Sequence, residues 1–298
     1  MNQSMEQSAP SGLDVARWVE THVGASLVSW SALHGGDEGI VYRVDLASES
    51  FVVRVAPQWE THARLEWAAQ VATHAARSVP SVVAPLPIGS GHTTSMHGRA
   101  ATLFPFVQGS HLNRDHPPHR YDAAKQLAAI HSALSDFPIA GPSQNAVAHM
   151  PSELLDRRLD EWRVGTDALL NGVAHGDYYR RNLLCQNDAI VGIVDWVDAS
   201  RRPLILEVAG ATFELCKDDS HNLHFDRADE FILNYQEANG PVQDVELREV
   251  LPAIREWIRR DIASAVGQGI RDEYVTAQIR AFRTLASSTW RNPSGPVL

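Results

Sequence analysis

The sequence predicts an α+β fold, a small antiparallel β-rich lobe followed by a larger, mostly α-helical lobe. Three observations carry this. Apolar residues follow a period of two through residues 27–57 and recur at helical spacing through most of the chain beyond Gly109. The change falls near Pro105 to Gly109, with neither an internal repeat nor a long linker. With 298 residues and 44% hydrophobic content, the chain can bury a core in one large domain or in two lobes.

Taken in order, residues 1–12 are polar and expected to be loose, and LDVARWVETHV (13–23) has the spacing of an amphipathic helix. LVSWSALHGGDEGIVYRVDL (27–46) reads as strand, glycine turn, strand, and SESFVVRVAP (48–57) as a third strand stopped by Pro57. An alanine-rich helix is expected over about 60–78, then two further strands over 82–90 and 99–107. Helices are expected at 121–134, 151–164, 204–216, 225–238, 244–266 and 270–289. Among them, VAHGDYYRRNLLCQNDAIVGIVDWVDA (173–199) sets a crowded polar loop beside two strand-like runs, NLLCQ and AIVGIVDW.

Composition narrows the function. The net charge of −10 is spread along the chain, with 15 acids against 12 bases in residues 201–298, so no basic face awaits nucleic acid. Cys185 and Cys216 lack the number and spacing of a disulfide framework or zinc site and read as core thiols. No stretch reaches 18 apolar residues, and MNQSMEQSAPSG carries neither a positive nor an apolar leader region. The expectation is a soluble, cytoplasmic protein without a membrane partner; its oligomeric state is not legible.

The chemistry concentrates in residues 173–199. Asp177 and Asn182 are five apart on a loop, and Asp195 follows Asp177 by 18, at the end of the second apolar run. A strand-turn-strand arrangement would return all three oxygen-bearing side chains to one edge. Such hard oxygen donors suit Mg²⁺, which keeps several waters and takes one or two carboxylates plus substrate phosphates. The plainer alternative is a turn at His175-Gly176-Asp177, a loop residue at Asn182 and a helix cap at Asp195.

His175-Gly176-Asp177, Asn182 and Ile193-Val194-Asp195-Trp196 together resemble the catalytic and metal-binding segments of the aminoglycoside phosphotransferase family, antibiotic and small-molecule kinases related to protein kinases. The resemblance implies a two-lobed protein-kinase-like fold, with residues 1–106 as the nucleotide-binding lobe and 107–298 as the catalytic and substrate-binding lobe. It implies that Asp177 orients the acceptor hydroxyl and takes its proton, and that Asn182 and Asp195 hold Mg²⁺ on the nucleotide phosphates. Arg181, ahead of Arg180, would contact the transferring phosphate or the substrate, the alternative being a solvated side chain. His175 would brace the loop. His131 of YDAAKQLAAIHSAL would be structural, and Glu207 stands where the family helix usually opens with Asp.

In the first lobe, Gly35, Gly36 and Gly39 lie between two strands, where missing Cβ atoms would let backbone N–H groups approach phosphates; an ordinary glycine hairpin is the competing reading. The resemblance places the phosphate-binding cation at Arg54, where protein kinases carry lysine, and its partner at Glu66. An edge-strand surface charge is the alternative for Arg54. Residues 102–109, with Phe104 and Phe106, resemble the strand and linker whose backbone would bind adenine, making ATP the default and GTP the alternative.

For the acceptor, the leading expectation is a hydroxyl of an antibiotic, which would confer resistance or self-resistance. The alternatives are a metabolite of choline, homoserine or methylthioribose type and, from another class, a nucleotide-binding pseudokinase. The weak charge of the last 98 residues argues against a polycationic aminoglycoside, and Trp162, Trp257 and Trp290 either wall a pocket or belong to the core.

Overall fold

The computed structural model describes residues 10–33, 39–138, 141–143, 150–164 and 169–290. The chain divides into two compact units, residues 1–108 and 109–298.

The first unit opens with α1 (Gly12–Val23). Ser11 and Asp14 form its reciprocal capping box, and Gly24 ends it at φ 74°. Order therefore begins earlier than expected, since Pro10 is buried and its carbonyl accepts a hydrogen bond from Tyr42 at 2.9 Å. The expected looseness of residues 1–9 lies outside the described residues. Five antiparallel strands, β1 (Ser29–Leu33), β2 (Ile40–Asp45), β3 (Ser50–Val55), β4 (Thr93–Met96) and β5 (Arg99–Pro105), form a sheet in the order β1-β2-β3-β5-β4. On β3 the pleat sends Phe51, Val53 and Val55 into a core with Val15, Trp18 and Val19 of α1, and puts Val52 and Arg54 on the opposite face. Helix α2 (His62–Ala76) starts at a Thr61 cap.

The expected strand over 82–90 is absent, and β4 forms later instead. Pro85 and Pro87 each remove an N–H, so no continuous ladder forms; Leu86 N–H donates to the Leu103 carbonyl (2.8 Å) and Ile88 forms an isolated bridge with Gly91.

The second unit is built on helices α3 (Pro117–Ala133), α4 (Arg157–Val164), α5 (Leu204–Cys216), α6 (Phe225–Glu237), α7 (Asp244–Leu247), α8 (Val250–Gly267) and α9 (Glu273–Ala286). Two expected helices are cut. Asp156 accepts from the N–H groups of Arg158 and Leu159 and so starts α4 only after a 3-10 turn, Ser152–Leu154. Pro252 cannot donate to the carbonyl of Arg248, so 244–266 becomes α7 and α8, with the proline in the tolerated first turn. Helix α5 is apolar on nearly every face and packs against α3, α6 and α8. Gly210 permits the closest approach, because a Cβ there would stand 2.4 Å from the Trp257 indole nitrogen.

Short strands frame the polar loop. Strand β7 (Asn171–Ala174) pairs with β10 (Ser200–Pro203), and β8 (Leu183–Gln186) and β9 (Ala189–Ile193) form a hairpin flanked by β6 (Ser110–His111). Cys185 and Cys216 are free and buried, and burial pushes their thiols up to about 11 and about 12. Trp257 packs on Phe213 and Trp290 stacks on Phe225, so both serve helix packing; Trp162 is half-buried. Among the described residues no helix is long and apolar enough to cross a membrane.

Candidate active site

The β8–β9 hairpin explains the spacing of the three oxygen-bearing residues. Asp177 follows β7, Asn182 immediately precedes β8, and Asp195 follows β9. Because Leu183 pairs with Ile193, and Val194 N–H donates to the Asn182 carbonyl at 2.9 Å, the hairpin returns the chain beside its own start. The Asn182 amide then donates to both the backbone carbonyl and Oδ2 of Asp177, each at 2.9 Å.

Asp195 has two unusual features. It holds φ at 60°, a left-handed conformation unusual for a non-glycine residue, and its Oδ1 is buried without a hydrogen-bond partner. A metal ion would satisfy that oxygen. Among the described residues no three His, Cys, Asp or Glu side chains form a metal cage, and Mg²⁺ held between protein and phosphates needs none. Burial, together with the charges of Asp198 and Asp195, pushes the Asp177 carboxyl up to about 8 despite the Asn182 hydrogen bond. A divalent cation at Asn182 and Asp195 would offset this concentration of negative charge.

The loop is braced from beneath. His175 is fully buried; its Nδ1 accepts from Asp177 N–H at 3.2 Å and its Nε2 donates to the Val194 carbonyl at 3.0 Å. Burial pulls its pKa down, in keeping with this neutral tautomer. Glu207, in the first turn of α5, accepts from the N–H groups of His175 (3.1 Å) and Gly176 (2.5 Å) and from His131 (2.8 Å), whose other ring nitrogen meets the Tyr235 hydroxyl. The glutamate thus spans the loop and α3 at the position where the family resemblance leads one to expect aspartate. Gly176 is required by geometry: φ is 95°, and a Cβ would lie 2.0 Å from the Asp198 carbonyl oxygen.

Burial raises the Glu207 carboxyl, but the hydrogen bond from His131 and the charges of His131 and Arg202 more than reverse this and hold it at about 2, against an ordinary 4.5. A depressed carboxylate contributes stability that is complete above pH 4.5 and lost as the pH falls toward 2. The contribution is on the order of 3 kcal/mol. Urea melts from pH 7 to pH 3 should therefore show the parent losing stability more steeply than Glu207→Gln below pH 4.5; parallel decline in both proteins would refute the assignment.

Arg180 and Arg181 occupy the 3-10 turn between Asp177 and Asn182. Both are exposed, and neither side chain makes an ion pair with a described residue.

The residues expected on the nucleotide side belong to the first unit. Arg54 lies on central strand β3, between Val41 of β2 and Thr102 of β5, which excludes the edge-strand alternative. Gly39 sits against it: a Cβ there would stand 3.1 Å from the Val55 carbonyl and 3.8 Å from the Arg54 guanidinium. Gly35 and Gly36 lie outside the described residues. The expected Arg54–Glu66 pair is not formed. Glu66 instead accepts from His92 N–H (2.8 Å) and the Thr93 hydroxyl (3.2 Å) and meets His92 Nδ1 at 2.9 Å, which satisfies its carboxylate at the start of β4. His92 carried no sequence signal, because its partner is 26 residues away. Phe104 is on β5, and Phe106 stacks under Arg43 with 4.2 Å from the guanidinium carbon to the ring centroid.

Residues 29–257 match the model of the APH phosphotransferase enzyme family. The chain belongs to that family. As an APH-family member it is a phosphotransferase with an alcohol group as acceptor, and its fold is kinase-like. It is 24% identical over 310 residues to a homoserine kinase of Rhizobium rhizogenes (strain K84), an alignment covering 92% of this chain and 95% of the relative. Among solved structures it resembles an amicoumacin kinase in complex with AMP-PNP, Ca²⁺ and Ami, with TM-score 0.72, 11% identity, and coverage of 99% of this chain and 98% of the other. It also resembles an aminoglycoside phosphotransferase, APH(4)-Ia, in ternary complex with AMP-PNP and hygromycin B, with TM-score 0.61, 17% identity, and coverage of 93% and 100%.

Proposed function

We propose that this APH-family protein transfers the γ-phosphoryl group of ATP, with Mg²⁺, to the hydroxyl of a small carboxylate-bearing metabolite of homoserine type. The observation that carries the kinase chemistry is the convergence of Asp177, Asn182 and the strained, orphaned Asp195 around one hairpin. Mg²⁺ would be held by Asn182 and Asp195 and would supply charge neutralisation on the phosphates. Asp177 would align the acceptor hydroxyl and take its proton. Positioning and electrostatics provide most of the rate in such a transfer.

Two features support the acceptor class. Exposed Arg180 and Arg181, neither paired with a described residue, stand within four residues of Asp177, and their guanidinium forks match a carboxylate as well as a phosphate. The homoserine kinase above aligns along almost the whole chain. The antibiotic reading, the leading expectation from the sequence, becomes the second: likeness to the amicoumacin kinase extends over nearly all of both chains, although at 11% identity it speaks for the fold alone.

The test is Mg²⁺-dependent ADP release from ATP and from GTP, measured with homoserine, related hydroxy amino acids, choline, methylthioribose and a panel of antibiotics. Turnover with a carboxylate-bearing acceptor supports the proposal. Turnover confined to an antibiotic moves the protein to resistance, and turnover with GTP alone overturns the choice of nucleotide.

A further inference from the structure

Arg202, on β10, is 7% exposed, and its whole fork is used. Nη1 donates to the Gly176 carbonyl at 3.2 Å, Nη2 to the Asp198 carbonyl at 3.1 Å and the Ser200 hydroxyl at 2.5 Å, and Nε to the same hydroxyl at 3.1 Å. All these acceptors are neutral, and among the described residues Arg202 makes no ion pair. Glu207 and Asp198 offset its charge without an ion pair at contact distance, and filling space alone would be met more cheaply by an apolar side chain.

Its placement gives the cost a purpose. The Gly176 carbonyl belongs to the peptide whose N–H is that of Asp177, and that N–H donates to His175 Nδ1 at 3.2 Å. One end of this peptide is therefore held by His175 and the other by Arg202, while the preceding peptide is held by Glu207. The same guanidinium grips Asp198 and Ser200, in the segment that follows Asp195.

We propose that Arg202 is a positioning residue for phosphoryl transfer, whose fork ties the Gly176–Asp177 peptide to the segment after Asp195 and so fixes the base relative to the metal-binding carboxylate. The inference rests on the kinase reading above. Nothing in sequence order suggests it, since Arg202 lies 26 residues from Gly176.

The test compares the parent with Arg202→Gln and Arg202→Lys by steady-state kinetics, MgATP titration, thermal melting and amide hydrogen exchange. For Arg202→Gln, kcat is expected to fall about 100-fold, as displacement of a reacting group by an ångström does, with KM for ATP nearly unchanged. Exchange should quicken in the peptide spanning 174–182 and not in α5. Arg202→Lys, which keeps the charge and loses the fork, should recover part of kcat. The proposal is overturned if kcat of Arg202→Gln stays within about threefold of the parent, or if both variants lose melting temperature and protection throughout α5 in step with activity. A parent silent toward every acceptor would sink the kinase reading instead, and loop exchange unchanged in Arg202→Gln would then overturn the clamp independently.

Discussion

Asp177→Asn is expected to lower kcat by about 10³- to 10⁴-fold while leaving MgATP affinity within a few-fold of the parent, the size of effect that follows from removing a general base. The substitution keeps shape and an oxygen that can accept from the Asn182 amide, so the loop should hold its form. It also removes a carboxylate that burial, and then the charges of Asp198 and Asp195, disfavour, so melting temperature should not fall. Single-turnover phosphorylation with saturating ATP and acceptor reads the chemical step directly. Equal rates in parent and variant would remove Asp177 from the mechanism, whatever the acceptor.

Asp195→Ala should abolish Mg²⁺-dependent nucleotide binding, weakening MgATP by more than about 100-fold, because even residues behind a metal ligand cost 10- to 100-fold when lost. Calorimetric titration with ATP, in Mg²⁺ and then in a chelator, separates the metal-dependent part. The same variant should melt no lower than the parent without ligand. It deletes a buried oxygen that has no partner among the described residues. That combination, binding lost with stability kept, is the mark of a site maintained for function. Normal MgATP binding by the variant would show that the metal is held elsewhere.

Much of this molecule was legible because its signals are local. The period-two pattern located β2 and β3, helical spacing located α1, α3 and α5, and the residue types and intervals at Asp177, Asn182 and Asp195 anticipated a strand-turn-strand return that β8 and β9 provide. Errors arose where a short-range rule met a competing one. Prolines at 85 and 87 defeated an apolar run, and Pro252 divided a helix whose periodicity was otherwise continuous.

What the sequence by itself determined is the family resemblance, carried by residue types whose spacing along one loop and one hairpin is local. Only the tertiary structure decided what holds them: Glu207 under the loop, His131 and Tyr235 behind Glu207, Arg202 on the Gly176 carbonyl, and His92 in the place foreseen for Arg54 beside Glu66. These bonds join residues 26 to 104 positions apart. No periodicity or turn propensity marks such pairs, since their energy appears only when separate elements pack and leave each buried polar group to find its partner.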